Sequence, residues 1–288
     1  MAHAALQTIR QHFHPLYQVR KLSWGRRLVG LLDVPVWLRI SGIGFKVRGR
    51  LISHGLAYYT NGWMEPGPSA LASVTARTFE IRSFWDVGAN IGFYSWLLKT
   101  EQSQIELVLY EPLPANATLI RQTLERNRLS GVTIVPAAVS GSVGRRVLFT
   151  ENTGISGTLE ADRSSYEALN WNDSSFEVPT LTLDSEHAHR TPPDFLKIDV
   201  EGHEASALLG AREILETTQP FVLIECIHGG HCLGALTKSG YKIVNSDRLC
   251  EDDWQRATNF LALPPRYAER AREILRMAEH LARERGQR

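Results

Sequence analysis

The sequence has few cysteines, no long apolar run and almost no net charge. Its three cysteines, Cys226, Cys232 and Cys250, are an odd number at spacings that match no disulfide framework, which favours a reducing, cytoplasmic environment. No stretch approaches the roughly 18 uninterrupted apolar residues that a membrane span requires, so we expect neither a transmembrane helix nor a signal peptide. The net charge of +1 offers no general attraction to nucleic acid.

The overall composition is that of a folded protein. The chain has 288 residues, of which 43% are hydrophobic and 22% are charged, and this suits one large α/β domain with appended segments. Positive charge is concentrated near the start, where the basic residues are Arg10, Arg20, Lys21, Arg26 and Arg27. These charges fit a solvated surface, and a weak association with anionic membrane lipid is the alternative.

Strand-like and helix-like runs alternate from residue 82 to about residue 228. In order, the runs are SFWDV, GFYSWLLKT, IELVLYEP, NATLIRQTLERN, VTIVPAAV, DFLKIDV, HEASALLGAREILET and FVLIEC. This alternation is typical of βαβ units around a parallel sheet. Two further strand-like runs, RRVLFT and VPTLTLD, enclose the polar stretch 151–177, which we predict to be a long loop or flap.

The pattern divides the chain into three regions. Residues 1–68 form an N-terminal arm, with a helix over 3–24 that Pro15 interrupts, followed by a small β region containing WLRI, GFKVRGR and LAYYT. Residues 69–265 form the main domain, which opens on a helix over 69–80. Residues 266–288 form an amphipathic helix that must dock on its own domain or on a partner, so a homodimer is possible. Its apolar face carries Tyr267, Ala271, Ile274, Leu275, Ala278 and Leu281.

The most informative stretch is FWDVGANIGFYS, which ends one strand and opens a helix. In an open α/β sheet, ligands bind at such strand ends, next to helix N-termini. Gly88 and Gly92 let the backbone approach a ligand closely, and Asn90 tolerates positive φ. The spacing is neither the GxGxxG of dinucleotide sites nor the GK[ST] of phosphate loops, which disfavours a pyrophosphate ligand.

An acidic residue ends the next strand. Glu111 lies 23 residues after Gly88 (111 − 88), where a carboxylate can accept both hydroxyls of a ribose. A nucleoside without a diphosphate fits this pair, and S-adenosylmethionine is such a ligand. The alternative is structural: a packing turn at Gly88, with Glu111 as a helix cap or ion-pair partner.

These motifs together resemble the FkbM family of S-adenosylmethionine-dependent methyltransferases. The resemblance runs from about Trp63 to Cys226 and rests on DVGANIGFYS, YEPLPANATLIRQTLERN, AAVSGSVG, LTLD, FLKIDVEGHEASALLGA and FVLIE. It implies a class I methyltransferase fold, which is a Rossmann-like α/β fold. Its seven-stranded sheet is mostly parallel, with one antiparallel strand and with helices on both faces. It also implies O-methylation of a sugar, a glycolipid or a secondary metabolite.

The resemblance assigns cofactor-binding residues position by position. It places the methionine part of S-adenosylmethionine among Asp86, Gly88, Ala89, Asn90 and Gly92. The ribose would lie on Glu111, next to Pro112, and the adenine beside Ala137 and Ala138. The dipeptide Glu65-Pro66 resembles one that family members often carry near the cofactor.

The stretch LKIDVEGHE carries the candidate catalytic groups Asp199, Glu201 and His203. An alcohol acceptor must lose a proton, so a base is expected near the strand ends. Asp199 and Glu201 could face the methyl group or hold a divalent cation with the acceptor, and His203 has the ordinary pKa nearest neutrality. In the alternative interpretation, Glu201 and Glu204 only cap the next helix.

A second cluster of polar residues follows the last strand-like run. It contains Glu225, Cys226, His228, His231 and Cys232. These ligand types suit zinc, but their spacing matches no common zinc pattern, so we expect no metal here. Glu225 and His228 are instead candidates to line the acceptor pocket, with His228 as a possible catalytic residue.

Four other functions compete with O-methylation. A nucleic-acid amino-methyltransferase would carry a [DN]PP[YF] turn after the strand that ends at Asp199, where the sequence reads Asp-Val-Glu-Gly. A nicotinamide oxidoreductase is disfavoured by the turn spacing. A non-catalytic partner that keeps the fold, or methylation of a nitrogen, stays open. We therefore expect a small-molecule or glycan acceptor and no nucleic-acid partner.

Overall fold

The predicted alternation of strands and helices is present in the described residues of this computed structural model, which are 31–55, 63–150, 157–159, 174–226, 232–254 and 257–286. The strands are β1 (Pro35–Arg39), β2 (Lys46–Arg50), β3 (Ser83–Val87), β4 (Glu106–Tyr110), β5 (Val132–Val135), β6 (Ala138–Val139), β7 (Gly144–Thr150), β8 (Gly157–Thr158), β9 (Ser174–Leu181), β10 (Phe195–Ile198), β11 (Phe221–Glu225), β12 (Lys242–Asn245) and β13 (Asn259–Leu263). The helices are α1 (Pro66–Thr78), α2 (Phe93–Glu101), α3 (Pro114–Asn127), α4 (Leu183–His187), α5 (Glu204–Leu209), α6 (Arg212–Thr217), α7 (Leu233–Lys238) and α8 (Ala271–Gly286).

The central sheet has the predicted class I topology. In the described part of the chain, seven strands pair in the order β12-β13-β11-β10-β3-β4-β5. β13 runs antiparallel to both of its neighbours, and the pairs from β11 to β5 are parallel. The predicted sheet with one antiparallel strand is therefore confirmed.

Both faces of this sheet are covered by helices. Along β3, Phe84 packs in one core with residues of α1, α2, α3 and α8, whereas the next residue, Trp85, packs in a second core with residues of α5, α6 and α7. Successive strand residues point to opposite faces, so a strand covered on both sides is buried along its whole length. All five residues of β3 are buried accordingly.

The C-terminal helix docks on its own chain. α8 packs against α1, and its buried residues are Ala271, Ile274, Leu275, Ala278 and Leu281. Near its end, Arg285 lies 2.9 Å from the Glu101 carboxylate. Of the two predicted uses of the apolar face, docking on the same domain is the one that the structure shows.

The N-terminal β region is a hairpin that leads toward the carboxyl edge of the sheet. β1 and β2 confirm two of the three predicted strands, and one turn of π-helix, Leu51–Gly55, follows them. The Asp33 carboxylate accepts hydrogen bonds from the backbone N–H groups of Ile52, at 2.7 Å, and Ser53, at 3.0 Å, which fixes this turn. The predicted helix over 3–24, the basic residues before residue 28 and the strand LAYYT lie outside the described residues.

Two predicted elements are each divided in the structure. The run VTIVPAAV breaks at Pro136, which lacks a backbone donor: β5 joins the central sheet, whereas β6 pairs with β9 in a second sheet. The predicted helix over HEASALLGAREILET is two short helices that meet at Gly210. A Cβ there would lie 2.2 Å from the Ser140 carbonyl oxygen, so the close approach of another segment sets this break.

Several elements were not predicted individually. β12, α7 and β13 follow the region of clear alternation, and the second sheet has the order β6-β9-β7-β8 among the described residues. The predicted flap 151–177 therefore contains β8 and the start of β9, and the rest of it lies outside the described residues. None of the described helices is both long enough and apolar enough to cross a membrane.

Candidate functional site

The turn after β3 begins at the predicted strand end, and its glycines pack closely against other parts of the protein. Gly88, Asn90 and Gly92 have φ angles of 75°, 53° and 84°. A Cβ at Gly88 would lie 1.8 Å from the carbonyl oxygen of Asp199, and one at Gly92 would lie 2.7 Å from the Trp96 ring. Protein atoms thus fill the space where either Cβ would lie, while Gly88 also lines the cleft described below, and close approach of a ligand to this turn stays a prediction.

The Asp86 side chain stabilises this turn through hydrogen bonds to the helix that follows it. It is 1% exposed, and its Oδ2 accepts hydrogen bonds from the backbone N–H of Ser95, at 3.2 Å, and from the Ser95 hydroxyl, at 2.7 Å. Burial raises the pKa of Asp86, and the Lys197 ammonium partly opposes this shift. Asp86 thus ties β3 to the first turn of α2.

Glu111 lies beside the turn, as the sequence predicts. Its Oε2 accepts the backbone N–H of Asn90 at 2.7 Å, and its Oε1 accepts that of Leu113 at 2.9 Å. The backbone N–H groups of Gly88 and Ala89 donate to the Tyr110 carbonyl at 3.0 and 3.1 Å, which holds the turn against the end of β4. Burial raises the pKa of Glu111 to about 8, although the two backbone hydrogen bonds favour the ionised form.

A cleft opens at this edge of the sheet and contains most of the predicted site residues. The predicted residues that line it are Gly88, Asn90, Glu111, Pro112, Ala137, Ala138, Asp199, Glu201 and His203. An apolar wall contributed by Leu113, Val139, Leu148 and Leu159 completes the cleft. Asp86, Ala89 and Gly92 are not among its lining residues, and His228 lies outside the described residues.

A buried lysine connects the acidic groups at the strand ends. The Nζ atom of Lys197 lies 2.9 Å from Oδ2 of Asp199 and 4.0 Å from Oδ1 of Asp86. It also lies 5.1 Å from the centroid of the Tyr94 ring, whose hydroxyl donates a hydrogen bond to Glu65. Burial alone would lower the pKa of Lys197, but the two aspartates outweigh it and hold this pKa above its ordinary value.

Asp199 and Glu225 lie next to each other at the carboxyl ends of β10 and β11. Their carboxyl groups are hydrogen-bonded to each other. Burial, together with the Asp199 carboxylate, raises the pKa of Glu225 to about 10. Burial opposes ionisation of Asp199 too, but the Lys197 ammonium and the bond from Glu225 keep its pKa below the ordinary value. At neutral pH, Glu225 therefore donates a hydrogen bond to an ionised Asp199.

The other residues of the LKIDVEGHE stretch divide between the cleft and the backbone. Glu201 has a φ of 53° and lines the cleft. The Nε2 atom of His203 lies 3.0 Å from the Ser140 hydroxyl oxygen in a buried position. Glu204 accepts the backbone N–H groups of Gly202, at 3.0 Å, and Val200, at 3.3 Å, so its side chain stabilises the turn that precedes α5.

The cysteines differ from the sequence prediction. Cys226 and Cys232 form a disulfide, with their Cα atoms 6.6 Å apart, and Cys250 is unpaired. The cysteine spacing matched no disulfide framework, but the fold brings Cys226 and Cys232 together just after β11. His231, like His228, lies outside the described residues. Within the described ranges, no group of three or more His, Cys, Asp or Glu could hold a metal ion.

Sequence reasoning missed several residues of the site. Lys197 lies in the otherwise apolar run FLKI. A lysine within a buried strand is rarely unpaired, so this pattern could have predicted an acidic partner nearby. Tyr94 and His54 carried no such signal. Tyr94 contacts Glu65 and His54 contacts Asn90 only because the fold brings these distant residues together.

Comparison with known proteins agrees with this architecture. The family model described as the methyltransferase FkbM domain matches residues 86–243. The hexuronic acid methyltransferase AglP of Haloferax volcanii is 29% identical over 150 residues, which make up 51% of this chain and 56% of that protein. The chain thus matches about half the length of this curated relative.

Two solved structures are similar in outline. The methyltransferase FkbM from Methylobacillus flagellatus KT is 20% identical, covers 63% of this chain and 43% of its own, and has a TM-score of 0.44. The O-methyltransferase from Bacillus cereus in complex with SAH is 11% identical, covers 85% and 98% of the two chains, and has a TM-score of 0.41.

Proposed function

The chain belongs to the FkbM methyltransferase family, and we propose on this basis that it transfers a methyl group from S-adenosylmethionine to a hydroxyl group of a sugar, glycolipid or related metabolite. One observation carries the cofactor assignment: a buried carboxylate, Glu111, borders the cleft beside the turn at Asn90. We further propose that residues 69–265 form the methyltransferase domain, since β13 completes the sheet at Leu263.

The cleft residues fit the parts of this cofactor. Glu111 would accept the ribose hydroxyls, because each carboxylate oxygen keeps acceptor capacity beyond its one backbone bond. Leu113, Ala137 and Ala138 offer an apolar surface suited to a planar base. When bound, the cofactor supplies a methyl group already activated on a sulfonium.

Asp199 is the proposed anchor for the acceptor hydroxyl. It is ionised, it lines the cleft, and the Lys197 ammonium and the protonated Glu225 hold its carboxylate in place. A hydroxyl that donates to this carboxylate has its lone pair oriented and a group ready to take its proton, which makes positioning the main contribution. His203 is a second candidate, although its Nε2 atom is engaged with Ser140.

The sugar class of acceptor is supported by the curated relative, which acts on a hexuronic acid according to its name. That protein matches this chain over about half its length. The acceptor here is therefore proposed as a carbohydrate hydroxyl, without a choice of sugar. Methylation of a nitrogen or a non-catalytic role stays as the alternative that the assay below distinguishes.

The test is turnover with defined acceptors. The purified protein is incubated with S-adenosylmethionine and, separately, a hexuronate, a neutral glycoside, an amino sugar and a transfer RNA, and S-adenosylhomocysteine is quantified. Release that depends on a carbohydrate, with a methyl ether in the product, supports the proposal. Asp199→Asn should lose most turnover, whereas Asp252→Asn, at an exposed position, should keep it. Release only with the RNA, or full turnover by Asp199→Asn, would contradict it.

A further inference from the structure

A histidine of the N-terminal β region contacts the turn after β3, and it lies outside the segment that the family model matches. We propose that His54 is a positioning residue of the cleft, which orients the Asn90 side-chain amide for the nucleoside ligand through a hydrogen bond from its Nε2 atom. This inference rests on the proposed function for the identity of the ligand. The contact itself is independent of it.

The hydrogen bonds of His54 define its tautomer. The backbone N–H of Arg50 donates to Nδ1 at 3.0 Å, so Nδ1 carries no proton. The neutral ring must then carry its proton on Nε2, which lies 3.1 Å from Oδ1 of Asn90. His54 thus donates to Asn90, and this fixes which end of the Asn90 amide faces the ring.

The position of His54 is held by its own surroundings. Its side chain is 5% exposed, and the Asp33 carboxylate anchors the π-helical turn through Ile52 and Ser53. A Cβ at Gly49 would lie 3.3 Å from Cβ of His54, so β2 packs closely against the histidine. The ring therefore has little freedom to leave Asn90.

Asn90 passes this constraint to the cofactor cleft. It has a left-handed φ of 53°, its backbone N–H donates to Glu111 at 2.7 Å, and it lines the cleft. With Oδ1 bound to His54, the Nδ2 donors of the amide are the part of the Asn90 side chain left to serve acceptor oxygens of a ligand. Three residues from separate elements, His54, Asn90 and Glu111, thus form one connected hydrogen-bond path.

The protonation state of His54 supports the same arrangement. Burial lowers its pKa, while the hydrogen bond to Asn90 and the Asp33 carboxylate favour the charged form and Arg50 opposes it. A second proton would have to enter at Nδ1, where the Arg50 N–H donates, and would break that bond. The ring is neutral at physiological pH and keeps its donor on Asn90.

Two substitutions separate the two ring nitrogens. Asparagine is shorter and places an acceptor near Nδ1, so His54→Asn keeps the bond from Arg50 and loses the donor to Asn90. Glutamine reaches further and places an amide donor near Nε2, so His54→Gln keeps the donor to Asn90 and loses the Arg50 bond. His54→Gln should therefore lose more stability than ligand affinity, whereas His54→Asn should lose more ligand affinity than stability.

The experiment measures thermal unfolding and S-adenosylhomocysteine affinity for the wild type and both variants. His54→Gln should have the lower melting temperature and keep the wild-type dissociation constant within about twofold. His54→Asn should weaken binding about fivefold, the size expected for one lost hydrogen bond. In an Asn90→Ala background, the difference in affinity between the two variants should vanish. A purely structural role predicts instead that affinity follows stability.

Two results would overturn the inference: wild-type affinity in His54→Asn, or a difference between the variants that persists without the Asn90 amide. The contact between His54 and Asn90 can also be tested without a ligand, by a double-mutant cycle of His54→Asn and Asn90→Ala that measures the free energy of unfolding. Measurable coupling supports the contact, and additive effects overturn it. If the wild type binds no S-adenosylhomocysteine, the proposed function fails, and this cycle still decides the His54 contact.

Discussion

The carbonyl oxygen of Asp199 lies so close to Gly88 that a Cβ at Gly88 would come within 1.8 Å of it. This contact joins the end of β10, where the acceptor is proposed to bind, to the turn after β3, where the cofactor is proposed to bind. The two halves of the site are thus packed directly on each other.

Substitution of Gly88 by alanine tests this packing. The added Cβ meets backbone and occupies a residue with a φ of 75°, so we expect Gly88→Ala to lower the free energy of unfolding by about 2–4 kcal/mol. Gly234→Ala is the control, because nothing lies within 4 Å of that position and it stands in α7. The control should be neutral or stabilising by up to about 1 kcal/mol. Equal effects in urea unfolding would contradict the packing.

The pH dependence of nucleoside binding tests the ionisation of Glu111. Its pKa of about 8 means that the carboxyl is protonated below that pH, whereas ribose hydroxyls bind best to the ionised form. Adenosine affinity should therefore rise from about pH 6 through the pKa near 8 and level off about one pH unit above it. Adenosine is the probe because it carries no amine that titrates in this range. Glu111→Gln should bind adenosine more weakly and without this pH dependence. If the variant keeps the same change of affinity with pH, Glu111 is not the titrating group.

Removal of the buried ammonium tests the charge network. Lys197→Met keeps most of the side-chain volume but leaves Asp86 and Asp199 without their shared cation. We expect a loss of about 3–5 kcal/mol in unfolding free energy at neutral pH, and a smaller loss in acid, where the aspartates take up protons. Lys238→Met, at an exposed position, should change stability by less than about 0.5 kcal/mol. A Lys197→Met loss that is independent of pH would point to packing alone.

Two residues of α8 test whether this helix is docked in solution. Ile274 is fully buried, so Ile274→Ala should cost about 2–5 kcal/mol. Met277 is 40% exposed on the same helix, and Met277→Ala should cost less than about 1 kcal/mol. Chemical denaturation gives both values. Similar small effects at the two positions would show that α8 is not packed on α1.

Thiol titration tests the disulfide. The chain has three cysteines, of which Cys226 and Cys232 are bonded, so denatured, unreduced protein should show one reactive thiol. Reduction before denaturation should raise the count to three. Three thiols without reduction would show that the bond does not form in the purified protein.

The sequence predicted the residues that local chemistry determines. β3 and the helix after it, the acid at Glu111 and the cleft position of Asp199 follow from short patterns at strand ends. It could not predict contacts made by distant segments. The break at Gly210 depends on Ser140, the reason for Gly88 depends on Asp199, and the orientation of Asn90 depends on His54. β12 and β13 are four- and five-residue runs whose partners are each other and β11, which no local pattern reveals.

The most direct test of the account is a crystal structure of the protein with S-adenosylhomocysteine. We predict that the nucleoside lies in the cleft with its ribose hydroxyls within hydrogen-bond distance of the Glu111 carboxylate and its adenine beside Ala137 and Ala138. A nucleoside bound elsewhere, or ribose hydroxyls that lie out of hydrogen-bond reach of the Glu111 carboxylate, would contradict the central claim.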